Sequence, residues 1–198
     1  MSLKEPGASR FPAPRGAVAR TREEQASMVF EECFGRYWPP IVLLLVRLTG
    51  DADEAEDLAL ETFYRLYQDL DRLKPGKDRL GGWLYRVAMN LGFNALRGKK
   101  RRMRYEQDAG MEAIRSAAPA SPAQETEANE EKRQVRLVLA QMKPQSAQLL
   151  FLRSAGLSYR ELADICQVSI HSIGTLLSRA EQDFEKRYRA QFGEGSQA

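Results

Sequence analysis

A stretch of aromatic, amide and basic side chains in the middle of the chain, residues 83–104, has the chemistry that binding of single-stranded nucleic acid requires. Aromatic rings stack on bases, amides form hydrogen bonds with base edges, and Lys and Arg bind phosphates. On a helix with about 100° per residue, one face is apolar and should pack on a core. That face comprises Leu84, Val87, Ala88, Leu91 and Ala95. The opposite face comprises Trp83, Arg86, Asn90, Phe93 and Arg97, with Tyr85 and Met89 at its edge.

Two interpretations of this helix remain open from its own residues. The outward face can bind nucleic acid, or its rings can bury against a neighbouring helix while its cations form a solvated end. A basic run follows the helix, Lys99, Lys100, Arg101, Arg102 and Arg104, and residues 105–131 then carry seven acids against one Arg. A basic block followed by an acidic block indicates separate tasks for separate segments, although the net charge is only +3.

Composition restricts the class of protein. With 198 residues, 43% of them hydrophobic and 29% charged, the chain suits one globular domain or two small ones. Cys33, Cys166 and His171 form no zinc-ligand set, and buried free thiols indicate a reducing compartment, so we expect a cytoplasmic protein. The N-terminus lacks the apolar core of a signal peptide, and the longest apolar run, residues 41–46, is too short for membrane insertion.

Catalytic chemistry is not indicated by the residue pattern. We find no nucleophile paired with a base, no metal-ligand set and no phosphate-binding loop beyond the isolated pair Gly81 and Gly82. The sequence therefore predicts neither an enzyme nor a bound metal or cofactor.

Helical periodicity predicts an all-α fold of two small helical domains joined by a flexible linker. A proline-containing tail at residues 1–22 is expected to be disordered, and the first domain spans residues 23–104. Its first helical stretch is expected to be interrupted at Pro39 and Pro40 and to end at Gly50.

Asp51 or Asp53 then caps a second helix. The outward face of that helix is acidic and polar, and such a face is solvated by default: Asp57, Glu61, Tyr64 and Gln68.

Residues 105–130, rich in Ala, Ser, Pro and Glu, are predicted to be the linker, and residues 131–190 form the second domain, followed by a tail at residues 191–198. In that domain Ser158 and Glu161 form a capping box that opens a short helix.

A tight turn at residues 167–169 leads into a last long helix, and this pair of helices indicates a helix-turn-helix. Its inward stripe is expected to be Ile170, Ile173, Leu177, Ala180, Phe184 and Tyr188. Its outward arc can form hydrogen bonds in a major groove: His171, Ser172, Thr175, Ser178, Arg179 and Gln182. The alternative is an ordinary bundle with a polar surface, but the capping box, the turn length and the buried spacing together favour DNA binding.

The chain resembles the sigma-70 family of RNA polymerase sigma factors. Region 2 of that family is similar to three segments: FEECFGRYW, RLTGDADEAEDLALETFYRLY and GGWLYRVAMNLGFNALRGKKRR. Its region 4 helix-turn-helix is similar to LSYRELADICQVSIHSIGTLLSRA. The resemblance is closest to the extracytoplasmic-function (ECF) group, which has only these two regions.

The resemblance implies binding to core RNA polymerase and to promoter DNA. Region 2 would dock on the clamp helices of the polymerase β′ subunit and region 4 on the β flap, while the linker would thread toward the RNA exit path. The clamp contact would involve Asp57, Glu61, Tyr64 and Gln68. The family often uses an anti-sigma factor as a further partner.

The resemblance also implies residue roles at the promoter. The −10 element would be melted, read and held by Trp83, Tyr85, Arg86, Asn90, Phe93, Asn94, Arg97, Lys99, Lys100 and Arg101. Asn90 matches the family asparagine that helps to hold a flipped-out base, together with the loop at residues 73–80. The −35 element would be read by Ser158, Tyr159, Arg160, His171, Ser172, Thr175, Ser178 and Arg179.

Four positions depart from the family pattern. Leu60 stands where glutamine is usual in the clamp contact, and Gln167 replaces a common turn glycine. Gly174 and Leu176 stand where many members carry Lys and Arg, so phosphate contact and the salt dependence of −35 binding should both be reduced. Two explanations fit the loss of these cations. The protein would read its −35 element through hydroxyl groups and Arg179, or region 4 would depend more on contacts with the polymerase.

The expected function is therefore that of an ECF sigma factor. The alternative is a stand-alone helix-turn-helix transcriptional regulator, which would explain residues 131–190 but leave the first domain without a role. A sigma-like protein that acts through protein contacts alone is supported only by the departures at residues 60, 174 and 176.

Overall fold

The protein is built from seven α-helices within the residues that the computed structural model describes, which are 22–70, 77–108 and 127–193. The helices are α1 (Arg22–Thr49), α2 (Ala52–Asp69), α3 (Lys77–Asp108), α4 (Glu127–Leu139), α5 (Pro144–Ser154), α6 (Tyr159–Cys166) and α7 (Ile173–Phe192). A short 3-10 turn, Ile170–Ser172, precedes α7. No strand occurs in these ranges, and the predicted all-α fold is confirmed.

Several predicted segments lie wholly or partly outside the described residues. They are most of the N-terminal tail, most of the linker, the end of the C-terminal tail, and part of the loop at residues 73–80. At the linker, α3 continues to Asp108 and α4 begins at Glu127, so helix extends into both ends of the predicted linker.

Helix α1 continues through Pro39 and Pro40, where an interruption was expected. A proline within a helix costs about 3 kcal/mol, because it removes a hydrogen bond and its ring meets the preceding turn. Packing offsets this cost, since both halves of α1 contribute buried side chains. These side chains are Cys33 before the prolines and Ile41, Leu44, Leu45 and Leu48 after them.

The boundary between α1 and α2 agrees with the prediction. Gly50 ends α1 with a φ of 76°, in the left-handed region where glycine has no steric penalty. Asp51, rather than Asp53, caps α2, and its side chain accepts a hydrogen bond from the Glu54 N–H at 3.1 Å. The two helices therefore meet at a tight, specified corner.

The buried arc of α3 is wider than predicted. Phe93, expected to face outward, and Met89, expected at the edge, are both fully buried. The predicted pattern allowed for packing on one side of α3, whereas α3 packs on two sides, against α1 and α2 on one and against α5 and α6 on the other. Gly92 lies directly under Leu45 and Leu48 of α1 on one side, and Phe93 meets Phe151 of α5 on the other.

Helices α4 to α7 form the second bundle, with a helix-turn-helix made by α6 and α7. The capping box is present, because the Ser158 hydroxyl accepts from the Glu161 N–H and the Glu161 carboxylate accepts from the Ser158 N–H. Gln167 ends α6 with a φ of 55°, so a non-glycine residue occupies the left-handed turn position. Ile170, predicted to be inward, is exposed because it belongs to the 3-10 turn and not to α7.

Within the described ranges, no helix combines the length and the apolarity that crossing a lipid bilayer requires.

We predict that Gly174→Ala stabilises the protein. Gly174 lies in the first turn of α7, and a Cβ there meets nothing within 4 Å. Because glycine in a helix is less favourable than alanine by up to about 1 kcal/mol, the urea midpoint should rise accordingly. Gly156→Ala is the control: its φ of 95° is strained for alanine, so that variant should be less stable. A fall in the midpoint for Gly174→Ala would contradict the packing described for α7.

Candidate nucleic-acid interface

The outward face of α3 is covered by the second bundle over part of its length. Trp83, Tyr85 and Arg86 are half-buried, Asn90 is exposed, and Phe93 is 0% exposed. The prediction that Phe93 is available to DNA is therefore wrong for this conformation. The ring of Phe151 meets Phe93 edge-on, with the centroids 6.1 Å apart.

Arg86 binds the C-terminal end of α6. Its Nε donates to the Ile165 carbonyl oxygen at 2.8 Å, and its Nη2 donates to the Asp164 carbonyl oxygen at 3.2 Å. Carbonyl groups in the last turn of a helix lack intrahelical partners and carry the negative end of the helix dipole. The Arg86 guanidinium group donates hydrogen bonds to these carbonyl oxygens, and its positive charge is favourable at the negative end of the helix dipole.

Asn90 is also engaged by the second bundle. Its Oδ1 accepts a hydrogen bond from Nε2 of Gln148, on α5, at 2.7 Å. Gln148 is only 8% exposed, so this bond satisfies a buried amide that would otherwise be costly. The amide predicted to hold a flipped base thus has a protein partner in this conformation.

Gly82 of α3 lies against the Asp164 side chain of α6. A Cβ at this position would overlap the carboxylate of Asp164. Beside this contact lies a cleft of about 440 Å³ between the two bundles, lined by residues that include Arg36, Tyr37, Tyr85 and Glu161. The pKa of Tyr85 is raised first by burial and then by Tyr37 and Glu161.

The basic end of α3 is more open. Asn94, Lys99, Arg101 and Arg102 are exposed, and Lys100 is half-buried. Arg97 lies over the Phe93 ring at 5.7 Å from its centroid, and within the described part of the chain its buried Nη2 has no hydrogen-bond partner.

The outward face of α2 is exposed and combines acids with apolar side chains. Asp57, Tyr64 and Gln68 are exposed, and Glu61 accepts a hydrogen bond from Nε of Arg65 at 2.8 Å. Leu60 lies on the same face and is 55% exposed. Tyr64 on this face is 56% exposed, so the face combines acidic, polar and apolar side chains.

The helix-turn-helix presents its predicted polar arc to solvent. All eight predicted residues are exposed: Ser158, Tyr159, Arg160, His171, Ser172, Thr175, Ser178 and Arg179. The Ser158 hydroxyl is occupied, however, because it also donates to Glu161 at 2.6 Å. Tyr159 stacks beneath the guanidinium group of Arg153 at 5.5 Å.

Comparison with known families agrees with this geometry. The family model for Sigma-70 region 2 matches residues 33–102, and that for Sigma-70 region 4 matches residues 132–183. The chain belongs to the sigma-70 family. Within the family it is an ECF sigma factor, as the relatives described next indicate.

Several relatives align over most of this sigma factor. The RNA polymerase sigma-H factor of Pseudomonas aeruginosa is 29% identical over 163 residues, which is 76% of this chain and 81% of that protein. The ECF RNA polymerase sigma factor EcfG of Rhodopseudomonas palustris is 28% identical over 72% of this chain and 75% of its own length. The ECF RNA polymerase sigma factor SigM of Bacillus subtilis is 27% identical over 81% of this chain and 96% of its own length.

Among solved structures, the sigma factor RpoE in complex with the anti-sigma factor NepR, from Bartonella quintana, matches with a TM-score of 0.48 and 22% identity. The match covers 81% of this chain and 96% of that one.

The departures from the family pattern have different structural settings. Gly174 has open space around it, so nothing in the described structure requires a residue without a side chain. Leu176 is half-buried and packs against the core, which gives an apolar residue a structural role at that position.

The contacts between α3 and the second bundle were not foreseen from the sequence. Gln148, Phe151 and Asp164 carry no motif and resemble ordinary residues of amphipathic helices. Only Gly82 was a signal, because a glycine in a helix lets a neighbouring chain approach closely, and a Cβ there would meet Asp164.

Cys166 lies beside this contact, and we predict that it reacts slowly with alkylating reagents. Burial raises the pKa of its thiol to about 11, although the nearby Arg86 acts in the opposite direction. Since the thiolate is the reactive form, the alkylation rate of the native protein should rise with a midpoint near pH 11, compared with about 9 in urea. The thiol form favours folding below about pH 9, and this contribution is lost as the pH rises toward 11.

Mass spectrometry of the Cys166 peptide separates its rate from that of Cys33. A circular dichroism spectrum at each pH verifies that the protein remains folded. A native midpoint near pH 9 would contradict the burial of Cys166.

Proposed function

We propose that this ECF sigma factor binds core RNA polymerase and directs promoter-specific initiation of transcription. The observation that carries the proposal is an ordered set of surfaces on one chain. These surfaces are the acidic and apolar face of α2, the aromatic and basic face of α3, and the exposed polar arc of α7. The relatives reported above are named as RNA polymerase sigma factors, which supports the same partner here.

We assign these tasks to separate parts of the chain. Residues 23–104 act as region 2, residues 131–190 act as region 4, and residues 105–130 connect them. Because the partner is the transcription machinery, we place the protein in the cytoplasm. An anti-sigma factor remains a candidate partner from the family resemblance.

Core binding is assigned to α2 and to region 4. The proposed clamp contact is the α2 face with Asp57, Glu61, Tyr64 and Gln68, in which exposed acids would meet a basic partner surface. Leu60 lies on the same face. In the proposed complex its apolar side chain would be buried against the clamp, where the family usually has a glutamine that makes a polar contact. Region 4 would dock on the β flap.

Melting of the −10 element is assigned to α3. Trp83 and Tyr85 supply rings for stacking, Asn90 and Asn94 supply amides, and Arg86 supplies charge. Unstacking a base step costs a few kcal/mol, and each base stacked on an aromatic ring returns about 1–3 kcal/mol. Promoter melting then requires differential binding of single strand over duplex and no bond chemistry, so we propose that the protein is not an enzyme.

The cations beyond Asn94 would hold the DNA backbone without reading its sequence. They are Arg97, Lys99, Lys100 and Arg101. Each phosphate contact makes binding weaker at higher salt, so this end of α3 should carry most of the salt dependence of promoter binding.

Readout of the −35 element is assigned to the turn and first half of the helix-turn-helix. His171, Ser172, Thr175 and Ser178 can form hydrogen bonds in the major groove, and Arg179 adds charge. Arg160 and Tyr159 at the start of α6 reach the adjacent backbone. A stand-alone regulator would need only this region. That hypothesis does not explain why residues 33–102 match Sigma-70 region 2.

The direct test of this function is transcription with core polymerase. Purified protein and core polymerase should give specific run-off transcripts from the DNA upstream of its own gene. Core polymerase alone is the control. If the protein neither binds core nor supports a transcript, the proposed function is wrong and a stand-alone regulator becomes the better hypothesis.

Reversal of charge on α2 should weaken core binding. We expect Asp57→Lys with Glu61→Lys to reduce affinity for core by about tenfold or more, because like charges across an interface cost several kcal/mol. Fluorescence anisotropy of labelled sigma factor measures this affinity. The control is Glu181→Lys with Glu185→Lys on α7, which makes the same change in net charge at exposed positions. If the two double variants bind core with equal affinity, the α2 face is not the core-binding surface.

Removal of the stacking and amide groups on α3 should impair melting but not assembly. Trp83→Ala and Asn90→Ala should each reduce open-complex formation, measured by permanganate reactivity of unpaired thymines, while core affinity stays unchanged. For Trp83→Ala, loss of one stacked base is worth about 1–3 kcal/mol, or roughly fivefold to 150-fold in the open complex. Asn129→Ala, at an exposed amide of α4, is the matched control for Asn90. A parallel loss of core binding would mean that these residues are structural.

A further inference from the structure

The first turn of α7 carries a glycine on the surface to which we assign readout of the −35 element. Gly174 is exposed, and a Cβ at this position would meet nothing within 4 Å. Glycine is among the least favourable residues inside a helix, so the chain bears a cost that no contact among the described residues requires. A requirement outside the protein explains this glycine, because glycine also lets a ligand approach the backbone closely.

The second departure from the family pattern in α7 does not replace the missing cation. Leu176 is half-buried and packs against the core, so its side chain does not extend toward DNA. The exposed residues between His171 and Arg179 therefore all have short side chains or none: Ser172, Gly174, Thr175 and Ser178.

Two hydroxyl groups beside Gly174 have no hydrogen-bond partner within the described part of the chain. Ser and Thr inside a helix often donate to the carbonyl oxygen four residues earlier, as the Thr62 hydroxyl does to Leu58 at 2.8 Å. Thr175 and Ser178 make no such bond. Their hydroxyl groups are therefore available to base edges in a major groove.

The length of these side chains determines how closely DNA must approach. A hydroxyl oxygen is one bond beyond Cβ, whereas the terminal nitrogens of lysine and arginine are several bonds further out. A hydrogen bond from a hydroxyl to a base requires about 2.7–3.0 Å between the two heavy atoms. Thr175 and Ser178 can therefore reach bases only when the backbone of α7 itself lies deep in the groove.

We propose that Gly174 is a specificity-determining residue, because it lets α7 enter the major groove deeply enough for Thr175 and Ser178 to read bases. This inference rests on the proposed function of region 4 and identifies how that region recognises DNA. Gly174 precedes Ser178 by four residues, so the two lie on the same face of α7. A methyl group at residue 174 would occupy space that the bases need.

The test uses Gly174→Ala and Thr175→Val, singly and together, in the full chain. Alanine adds one methyl group in the open space, and valine removes the threonine hydroxyl while it keeps the shape of the side chain. The matched control is Gly35→Ala on α1. Gly35 is also an exposed helical glycine whose Cβ would meet nothing within 4 Å, and it belongs to none of the proposed contacts.

Each protein is assembled with core polymerase, and fluorescence anisotropy measures its affinity for two labelled duplexes. One duplex spans the −35 element located from the start of the run-off transcript, and the other is a scrambled sequence of the same composition. We expect Gly174→Ala to raise the urea midpoint of the free protein, as Gly35→Ala should, yet to reduce affinity for the −35 duplex about fivefold or more. Affinity for the scrambled duplex should not change, because phosphate contacts carry no sequence information.

The double variant provides the sharpest measurement. Once the methyl group of Gly174→Ala holds α7 away from the bases, the Thr175 hydroxyl no longer reaches them. Thr175→Val should therefore reduce affinity for the −35 duplex about fivefold in the wild-type background and have no further effect in the Gly174→Ala background. A glycine that affects only the stability of α7 would produce no such coupling.

Any of several results overturns the inference. Unchanged affinity of Gly174→Ala or of Thr175→Val for the −35 duplex would mean that the space or the hydroxyl is not used. Losses that multiply in the double variant would mean that Thr175 reads DNA independently of the space at Gly174. An equal loss in Gly35→Ala would make helix stability the cause, and a lower urea midpoint for Gly174→Ala would mean that the space is not open.

Failure of the proposed function is recognised separately. In that case the wild type gives no transcript with core polymerase, whereas the inference alone fails when transcripts are made and the variants behave as just described.

Discussion

Packing of α3 on two sides is the constraint on which the rest of the structure depends. On one side, the backbone of α3 at Gly92 lies against the side chains of Leu45 and Leu48 of α1. On the other side Gly82, Arg86 and Phe93 meet α5 and α6. Small residues within a helix lower its intrinsic stability, and here that cost is offset by close contact with neighbours on both faces.

The same two-sided packing joins the two regions into one apolar cluster. Buried residues of region 2, such as Leu84 and Met89, belong to the same contiguous cluster as Leu152 and Ile173 of region 4. Phe93 and Phe151 lie where the two bundles meet. The boundary between the bundles is thus partly apolar and partly polar, with the guanidinium group of Arg86 on the carbonyl oxygens of α6 as its charged component.

The three proposed binding surfaces differ in what the fold requires of them. The α2 face and the α7 arc are solvent-exposed. Their side chains contribute to the fold mainly through local interactions, such as the Glu61–Arg65 ion pair and the Ser158–Glu161 capping box. The α3 face is different, since its residues serve both the packing of region 4 and the proposed recognition of DNA.

The sequence by itself determined the helices, their principal caps and the family. Gly50 and the Ser158–Glu161 box act through neighbours three or four residues away, so local spacing was sufficient to predict them, and it limited the α2 cap to Asp51 or Asp53. It did not determine the course of α1 through Pro39 and Pro40, or the burial of Met89 and Phe93, because both depend on helices distant in the chain. Which side of α3 meets solvent was decided by α5 and α6, whose partner atoms are backbone carbonyls and ordinary side chains that carry no sequence motif. Periodicity identifies an apolar face for one partner, and only tertiary structure shows where a second partner packs.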